Sequence, residues 1–162
     1  MKKIIVSFLI ATFMVSTLSI GSLFAQTTKY NWKKYGVSFV IPNTHALKKN
    51  TADAFESGDS KTWIEMYPYE DANETAKGMI QKVAGNGGFA VEGEGAYKSG
   101  GYDGYWLRCN TKKHPTWKFW LIGFIDPVSA TNFYTIIWWK KDDKAAYKIA
   151  YDMSYSFRQI KK

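Results

Sequence analysis

Residues 117–125 read Trp-Lys-Phe-Trp-Leu-Ile-Gly-Phe-Ile, and this stretch decides the fold. Apolar residues occupy both of the alternating faces that a strand presents, and Lys118 carries the only charge. A strand with one face in water alternates apolar with polar residues, whereas a strand covered on both sides does not. The stretch therefore predicts a central β-strand with a covering layer on each side of its sheet.

Two further strands are predicted beside this stretch, at Tyr102–Asn110 and Asn132–Lys140. The links between the strands, 111–115 and 126–131, are short and mostly polar. A parallel crossover needs about a dozen residues or more, so links of this length favour antiparallel neighbours. The three strands are therefore expected to lie side by side in one antiparallel sheet.

The N-terminal part of the chain predicts a β-hairpin. Residues 31–34 and 37–41 flank Tyr35-Gly36, and Val, Phe and Ile alternate along the second segment as in a strand that enters a core. Pro42 ends the hairpin because proline has no amide hydrogen to donate to a ladder.

A loop, a strand and a helix are predicted between this hairpin and the three strands. Residues 43–52 form a polar loop in this interpretation, and Thr62–Tyr67 alternates as a strand that Pro68 closes. The pattern then becomes helical, with Asn73 as the predicted N-cap and the glycine-rich segment 85–88 as the stop.

A second helix is predicted from Asp142-Asp143 to about Phe157. Its apolar stripe consists of Ala146, Ile149, Ala150, Met153 and Phe157, and it is flanked at i, i+4 spacing by Tyr147, Tyr151 and Tyr155. Together these patterns predict an α+β fold in which a single antiparallel sheet is flanked by helices on both faces, an α/β/α sandwich.

Residues 1–25 have the features of a cleavable signal peptide: Lys2 and Lys3, then an apolar run, then Ala25 before the expected cut. One globular domain is expected over residues 26–162, exported to the periplasm or the medium of a bacterium. Loss of the two lysines lowers the formal charge from +8 to +6. The remaining basicity suits an anionic partner or simply solubility. Export makes nucleic acid a poor candidate partner.

The predicted hairpin and the C-terminal region carry a resemblance to a known group. Residues 35–42 read Tyr-Gly-Val-Ser-Phe-Val-Ile-Pro, and the chain ends with an aromatic strand at Tyr134–Trp139, a helix through Ala146–Ile149, and Ser156-Phe157. This ordering resembles the PsbP-like and Mog1-like α/β/α sandwich group. The resemblance implies the same fold over most of residues 26–162.

The resemblance implies a broad class of function. Members of the group are mostly non-enzymatic: an extrinsic photosystem subunit, a small-GTPase partner and bacterial envelope proteins. With the signal peptide, the resemblance implies an exported accessory protein that binds a protein partner or an anionic envelope surface, with no cofactor.

Aromatic and basic residues alternate along the three long strands, and this is the main candidate for a binding site. Its predicted residues are Trp106, Arg108, Lys118, Trp120 and Trp138. Indoles stack on sugar rings and cations hold anionic groups, so a carbohydrate-binding module is the alternative function. The same indoles would also suit a purely structural role beneath the helices, because strand register cannot be fixed from sequence.

A small hydrolase using Cys109 and His114, with Asp103 as orienter, is a second alternative. Cys109 is the only cysteine and alternates with apolar residues, so a buried, inert thiol is the favoured interpretation, and no intramolecular disulfide can form. His45 and His114 are both expected in exposed loops, without metal-ligand spacing. A carboxylate pair drawn from Glu65, Glu70, Asp71 and Glu74 has no predicted cleft.

Overall fold

The structure, a computed structural model, describes residues 26–71, 73–125 and 132–160. The predicted signal peptide, residues 1–25, lies outside the described residues. The described part contains ten strands, β1 Thr27–Trp32, β2 Val37–Pro42, β3 Ala46–Asn50, β4 Phe55–Gly58, β5 Thr62–Tyr69, β6 Ala90–Ser99, β7 Tyr102–Asn110, β8 Trp117–Ile125, β9 Asn132–Lys140 and β10 Arg158–Gln159. Its helices are α1 Ala76–Gly87, α2 Lys144–Ser154 and a short 3-10 turn at Lys33–Tyr35.

The strands form a large sheet and a small one. The large sheet has the order β3-β4-β5-β9-β8-β7-β6 and is antiparallel throughout, and the small sheet has the order β1-β2-β10. The prediction of a large antiparallel sheet with two helices is confirmed. The prediction of a single sheet is wrong, because the N-terminal hairpin pairs with β10 instead of joining the large sheet.

Two hydrophobic clusters lie on the two faces of the large sheet. Ile122 and Phe124 of β8 pack in one cluster with Ala146, Ala150 and Met153 of α2 and with the small sheet. Phe119 and Leu121 of the same strand pack in the other cluster with Met79, Ile80 and Ala84 of α1. Successive side chains of a strand point to opposite faces, so β8 supplies both clusters, as its sequence predicted.

Helix α1 lies close to β8 because Gly123 has no side chain. A Cβ atom at this position would come within 2.6 Å of Met79 Cε and 3.0 Å of the Ala76 carbonyl oxygen. Helix α1 packs mainly against β7 and β8, and the hydrophobic cluster beneath it extends to Ile136 of β9. No described helix is long and apolar enough to cross a membrane.

Several predicted boundaries differ from the structure. The segment predicted as a polar loop contains β3, whose five side chains are all exposed and so show no alternation. Thr75, not Asn73, caps α1, because the Gly78 amide donates to Thr75 Oγ1 at 3.0 Å. Strand β5 continues through Pro68, which pairs with Phe133. Helix α2 begins after Asp143 and ends at Ser154, three residues before the predicted end.

Candidate functional site

Four of the five predicted binding residues share one sheet face, and the fifth lies on the other. Arg108 pairs across strands with Trp120, and Trp106 with Ile122, whereas Trp138 pairs with Phe119. Residues 106, 108, 118 and 120 therefore point toward the α2 side, and Trp138 points toward the α1 side. The structure thus separates the predicted site into two aromatic surfaces.

The first surface, called the tyrosine surface here, consists of Tyr147, Tyr151 and Tyr155 of α2 with Trp106 and Trp120 of the sheet. The three tyrosines are 39%, 45% and 44% exposed. Their rings follow one another at centroid distances of 6.4 and 4.8 Å. Trp120 lies 6.2 Å from Tyr147 and 5.2 Å from Trp106, so the five rings form one continuous row.

The cations beside this row are already paired. Lys118 Nζ donates to Glu92 Oε2 at 2.8 Å, and Arg108 Nε lies 3.6 Å from the same oxygen. Asn110 donates to the other oxygen at 2.9 Å. The hydrogen bonds from Lys118 and Asn110 hold the pKa of Glu92 below its usual value. Two cations that share one carboxylate leave a single net positive charge beside the tyrosine surface.

A small hollow opens between α2 and the sheet within the tyrosine surface. It has a volume of about 130 Å³ and is lined by Tyr97, Trp106, Trp120, Ile122, Tyr151, Ser154 and Tyr155. Among the described residues, the buried Trp120 Nε1 finds no hydrogen-bond partner. An indole N–H is a donor that is nearly always satisfied when buried, so the unpaired Trp120 N–H is an exception to the usual pattern.

The second surface, called the tryptophan cleft here, lies on the opposite, α1 side of the large sheet and has residues from β5, β8 and β9. It has a volume of about 260 Å³ and is lined by Asp59, Trp63, Glu65, His114, Trp117 and Trp138. Trp63 of β5 pairs with Trp138 of β9. On the other side of β9, Trp117 of β8 pairs with Lys140 of β9. Register therefore brings three indoles from three strands around one opening.

Gly58 allows Trp63 to take its place in the cleft. It is the cross-strand partner of Trp63 on β4, and a Cβ atom there would lie within 2.6 Å of Trp63 Cδ2. The indole thus occupies the space that a side chain at position 58 would fill.

Glu65 is the polar centre of the cleft. Trp138 Nε1 donates to its Oε1 and the Tyr67 hydroxyl donates to its Oε2, both at 3.0 Å. Burial raises the pKa of this carboxyl, and hydrogen bonds from Tyr67, Trp138 and Trp63 oppose the shift only in part. No described lysine, arginine or histidine forms a salt bridge with Glu65. Its negative charge is therefore uncompensated at close range.

Asp59 closes one end of the cleft and is rigidly held. Its Oδ1 accepts from the backbone amides of Lys61 and Thr62 at 2.8 Å, and its Oδ2 accepts from Thr44 Oγ1 at 2.9 Å. Burial raises the pKa of Asp59, but these hydrogen bonds outweigh burial and leave it below its usual value. Asp59 therefore remains a carboxylate.

His45 lies behind Asp59 and is buried, so the prediction of an exposed loop histidine is wrong for this residue. Its Nε2 lies 2.7 Å from Thr62 Oγ1, and its Nδ1 has no partner among the described residues. The cause is β3, which replaces the predicted loop directly after His45 and carries the chain along the sheet edge. His114 is exposed, as predicted.

The hydrolase arrangement is not assembled. Cys109 is fully buried in the α1-side cluster, where burial raises the pKa of its thiol to about 12. The prediction of a buried thiol is thus confirmed. Asp103 is six residues away along β7, which is roughly 20 Å in an extended strand, and forms a salt bridge with Lys98. Among the described residues, no three His, Cys, Asp or Glu side chains are placed to hold a metal ion.

Sequence reasoning missed Trp63 and Tyr67 as site residues and considered Glu65 only as a carboxylate without a cleft. The alternation of these three residues along β5 was visible in the sequence. Their neighbours were not, because the pairing of β5 with β9 joins residues about 70 positions apart in the chain.

Comparison with known proteins bears on the fold. No protein-family model matches the sequence, and no curated protein sequence matches it significantly. The Ran-binding protein Mog1p of Saccharomyces cerevisiae superposes with a TM-score of 0.58 at 9% identity, covering 84% of this chain and 96% of its own. Cyanobacterial PsbP (CyanoP) from Synechocystis sp. PCC 6803 superposes with a TM-score of 0.59 at 13% identity, covering 86% and 95%. The predicted PsbP-like and Mog1-like fold is confirmed, and identities this low concern the fold alone.

Proposed function

We propose that this chain is a non-enzymatic binding protein that docks a protein partner on its tyrosine surface. The observation that carries the proposal is the row of three exposed tyrosine rings on α2 that continues into two indoles of the sheet. Tyrosine and tryptophan are enriched at protein interfaces because they bury a large area at a small entropy cost and keep a polar atom for the rim. Single exposed aromatic side chains are ordinary, but three exposed tyrosines that continue into two half-buried indoles form a larger aromatic patch.

A protein suits this surface better than an anionic polymer. Binding to a polyanion depends on several free cations, and the two predicted cations beside the row, Arg108 and Lys118, share the carboxylate of Glu92 and leave one net positive charge. On α2 itself, Lys148 is paired with Asp152 at 2.8 Å. What the surface offers is apolar ring area with hydroxyl groups, which matches the core of a protein interface.

The hollow beside Tyr151 adds a specific anchor point. Its volume of about 130 Å³ suits one side chain, and its lining includes Trp120. Side chains that fill such pockets, surrounded by contacts that exclude water, contribute most of the affinity in typical interfaces. We therefore place the centre of the interface between Tyr151 and Trp120.

The similar yeast structure is consistent with this proposal. Mog1p is named as a Ran-binding protein, so a chain of this fold can serve as a protein-binding scaffold.

Photo-crosslinking tests the docking surface. A benzophenone amino acid placed at Tyr151 should give one dominant adduct in cells that make the protein. The same amino acid at Leu47 is a matched control, because Leu47 is also 45% exposed but lies on β3 at the edge of the large sheet. Adding Tyr155→Ser to the Tyr151 probe should remove the adduct.

Two results would contradict docking of a protein partner on the tyrosine surface. Identical adduct patterns from positions 151 and 47 would exclude a specific surface on α2. Crosslinking in a cell extract that no longer occurs when the salt concentration is raised to about 1 M before irradiation, where the Debye length is about 3 Å, would favour the anionic-surface alternative instead.

Export is the second part of the proposal. Its support is the sequence of residues 1–25 alone, with Lys2, Lys3, the apolar run and Ala25. Intact mass measurement of the protein recovered outside the cytoplasm should show Gln26 as the first residue. Recovery only of the full-length chain from the cytoplasm would contradict export.

The carbohydrate-binding alternative is favoured by one observation, the three half-buried indoles that open into the tryptophan cleft. It predicts that a neutral sugar shifts the indole signals of this cleft.

A further inference from the structure

We propose that the tryptophan cleft binds a quaternary ammonium group, either as a free ion of the choline class or as the headgroup of a choline lipid. The proposal rests on the juxtaposition of three indole rings with the carboxylates of Glu65 and Asp59 around one opening of about 260 Å³. It is independent of the protein-docking proposal, because the cleft and the tyrosine surface lie on opposite faces of the large sheet.

The ring faces supply the first part of the attraction. A cation over the face of an aromatic ring is attracted by the quadrupole of the ring, and tryptophan gives the strongest effect. The cleft already shows this interaction within the protein, because Lys140 Nζ lies 4.5 Å from the centroid of Trp117. Trp63 and Trp138 are the remaining indoles of the opening, and no described cation lies over either ring.

The carboxylates supply the second part. Glu65 is half-buried and without a described salt-bridge partner, and Asp59 is held as a carboxylate by three hydrogen bonds. A charge in a partly desolvated cleft is screened less than one on the open surface. A cation entering the cleft would therefore gain more than it would at an exposed carboxylate.

The donor and acceptor pattern favours a quaternary ammonium over other ligands. The Trp138 N–H is used by Glu65, and each Glu65 oxygen already accepts one hydrogen bond. A sugar needs several free donors and acceptors, and a primary ammonium needs to replace its strong hydration with hydrogen bonds. A quaternary ammonium needs neither, because it is recognised by ring faces and by charge.

The test follows the seven tryptophan indole N–H signals of isotope-labelled protein by NMR during titration. The probes are choline chloride, its neutral isostere 3,3-dimethylbutanol, glucose, and sodium chloride at matched ionic strength. We expect choline to shift the signals of the three cleft indoles saturably, with a midpoint about tenfold lower than that of the isostere. Signals of Trp106 and Trp120 on the opposite face should stay unchanged.

Two substitutions assign the effect to the cleft. Glu65→Gln removes the charge but keeps both hydrogen bonds, since the amide oxygen accepts from Trp138 and the amide nitrogen donates to Tyr67. It should weaken choline binding about tenfold and leave the isostere unaffected. Trp63→Leu should also weaken choline binding, whereas Trp106→Leu on the other face serves as the control and should not. Unchanged signal dispersion elsewhere shows that each variant is folded.

Three outcomes would overturn the proposal. They are the absence of a saturable choline shift, equal binding of choline and the isostere, and full choline binding by Glu65→Gln. A glucose shift of the cleft indoles without a choline shift would establish the carbohydrate alternative instead. Sedimentation with phosphatidylcholine vesicles but not with phosphatidylglycerol vesicles identifies the lipid headgroup as the source, and choline binding without sedimentation identifies the free ion.

Discussion

Two glycines lie beneath the tryptophans that define the two surfaces. Gly58 pairs across strands with Trp63, and Gly95 pairs with Trp106. A Cβ atom at Gly95 would lie 2.9 Å from Trp106 Nε1, so the indole again occupies the space that a side chain would fill. Each glycine thus leaves room for an indole close to the sheet, so the position of Trp63 in the tryptophan cleft and of Trp106 in the tyrosine surface depends on a missing side chain.

Gly58→Ala should therefore destabilise the protein and displace Trp63. The expected loss in the free energy of unfolding is about 1–3 kcal/mol, which is typical of overpacking. Gly85→Ala is the matched control, because nothing lies within 4 Å of its Cβ position on α1, and it should stabilise by about 0.5–1 kcal/mol. Denaturant titration with tryptophan fluorescence measures both changes, and equal effects of the two variants would contradict this account.

His45 should make the fold sensitive to mild acid. Burial lowers the pKa of the His45 imidazole, and nearby Asp59 opposes this only in part. As the pH falls below about 6.5, the usual histidine pKa, unfolded His45 takes up a proton while folded His45 resists it. Protonation then favours the unfolded state, so the free energy of unfolding should decrease as the pH falls.

The measurement compares His45→Gln with the original chain between pH 7 and 5.5. The variant should lose less stability on acidification, and His114→Gln, at the exposed histidine, should behave like the original chain. The comparison is needed because burial of Glu65 raises its pKa, which acts in the opposite direction by favouring the folded state in acid. Identical pH slopes for His45→Gln and the original chain would show that His45 is not the source.

At the scale of elements, the ends of helix α1 show how local chemistry selects among similar residues. Asn73 and Thr75 are both suitable N-caps by residue type. Only Thr75 accepts a hydrogen bond from an amide of the first turn, and at the other end Gly88 takes a left-handed conformation with φ 63°. The glycines at 85 and 87 lie within the helix, which continues past the first of the predicted stop signals.

Thr75→Ala should cost about 1 kcal/mol of stability, the usual value for loss of a capping hydrogen bond. Asn73→Ala is the matched control two residues earlier and should change stability by less than about 0.5 kcal/mol, as is usual for an exposed position. Thermal unfolding followed by circular dichroism distinguishes the two. A larger effect at position 73 would mean that the sequence-based assignment of the cap was right.

The elements predicted well from the sequence are those in which the pattern of apolar and polar side chains reflects which faces are buried. Strand β8 is apolar on both faces, and α2 has a clear stripe, so both were predicted. Strand β3 has five exposed side chains and was missed, because its place in the sheet depends on backbone pairing with β4. Strand β10 is two residues long and pairs with β2 from 120 positions away, which no local pattern reveals.

The candidate site was predictable only to the level of residue type. Trp106, Arg108, Lys118, Trp120 and Trp138 were recognised from alternation, but alternation does not give the register between strands. The pairing register of β9 with β5 and β8 places Trp138 on the opposite face, beside Trp63 and Glu65. Pairing of the cations with Glu92 depends on a bulge in β6 between Val91 and Gly93, another feature that side-chain patterning does not show.

At the scale of the whole molecule, the large sheet separates the tyrosine surface from the tryptophan cleft and contributes side chains to both hydrophobic clusters. Strand β8 contributes Phe119 to the α1 side and Phe124 to the α2 side, and both side chains are fully buried. With a single cysteine in the chain, no intramolecular disulfide contributes to stability. Because the two clusters share their backbone, they are expected to unfold in one cooperative step.

Phe119→Ala and Phe124→Ala test this coupling. Each should lower the free energy of unfolding by about 3–5 kcal/mol, the range for loss of a buried phenylalanine ring. Cys109 supplies an independent probe of the α1 side, since its buried thiol reacts with a disulfide reagent only after that side opens. Phe124→Ala, on the opposite face, should therefore accelerate Cys109 labelling in denaturant as strongly as Phe119→Ala does. Labelling that responds only to Phe119→Ala would show that the α1 side opens by itself.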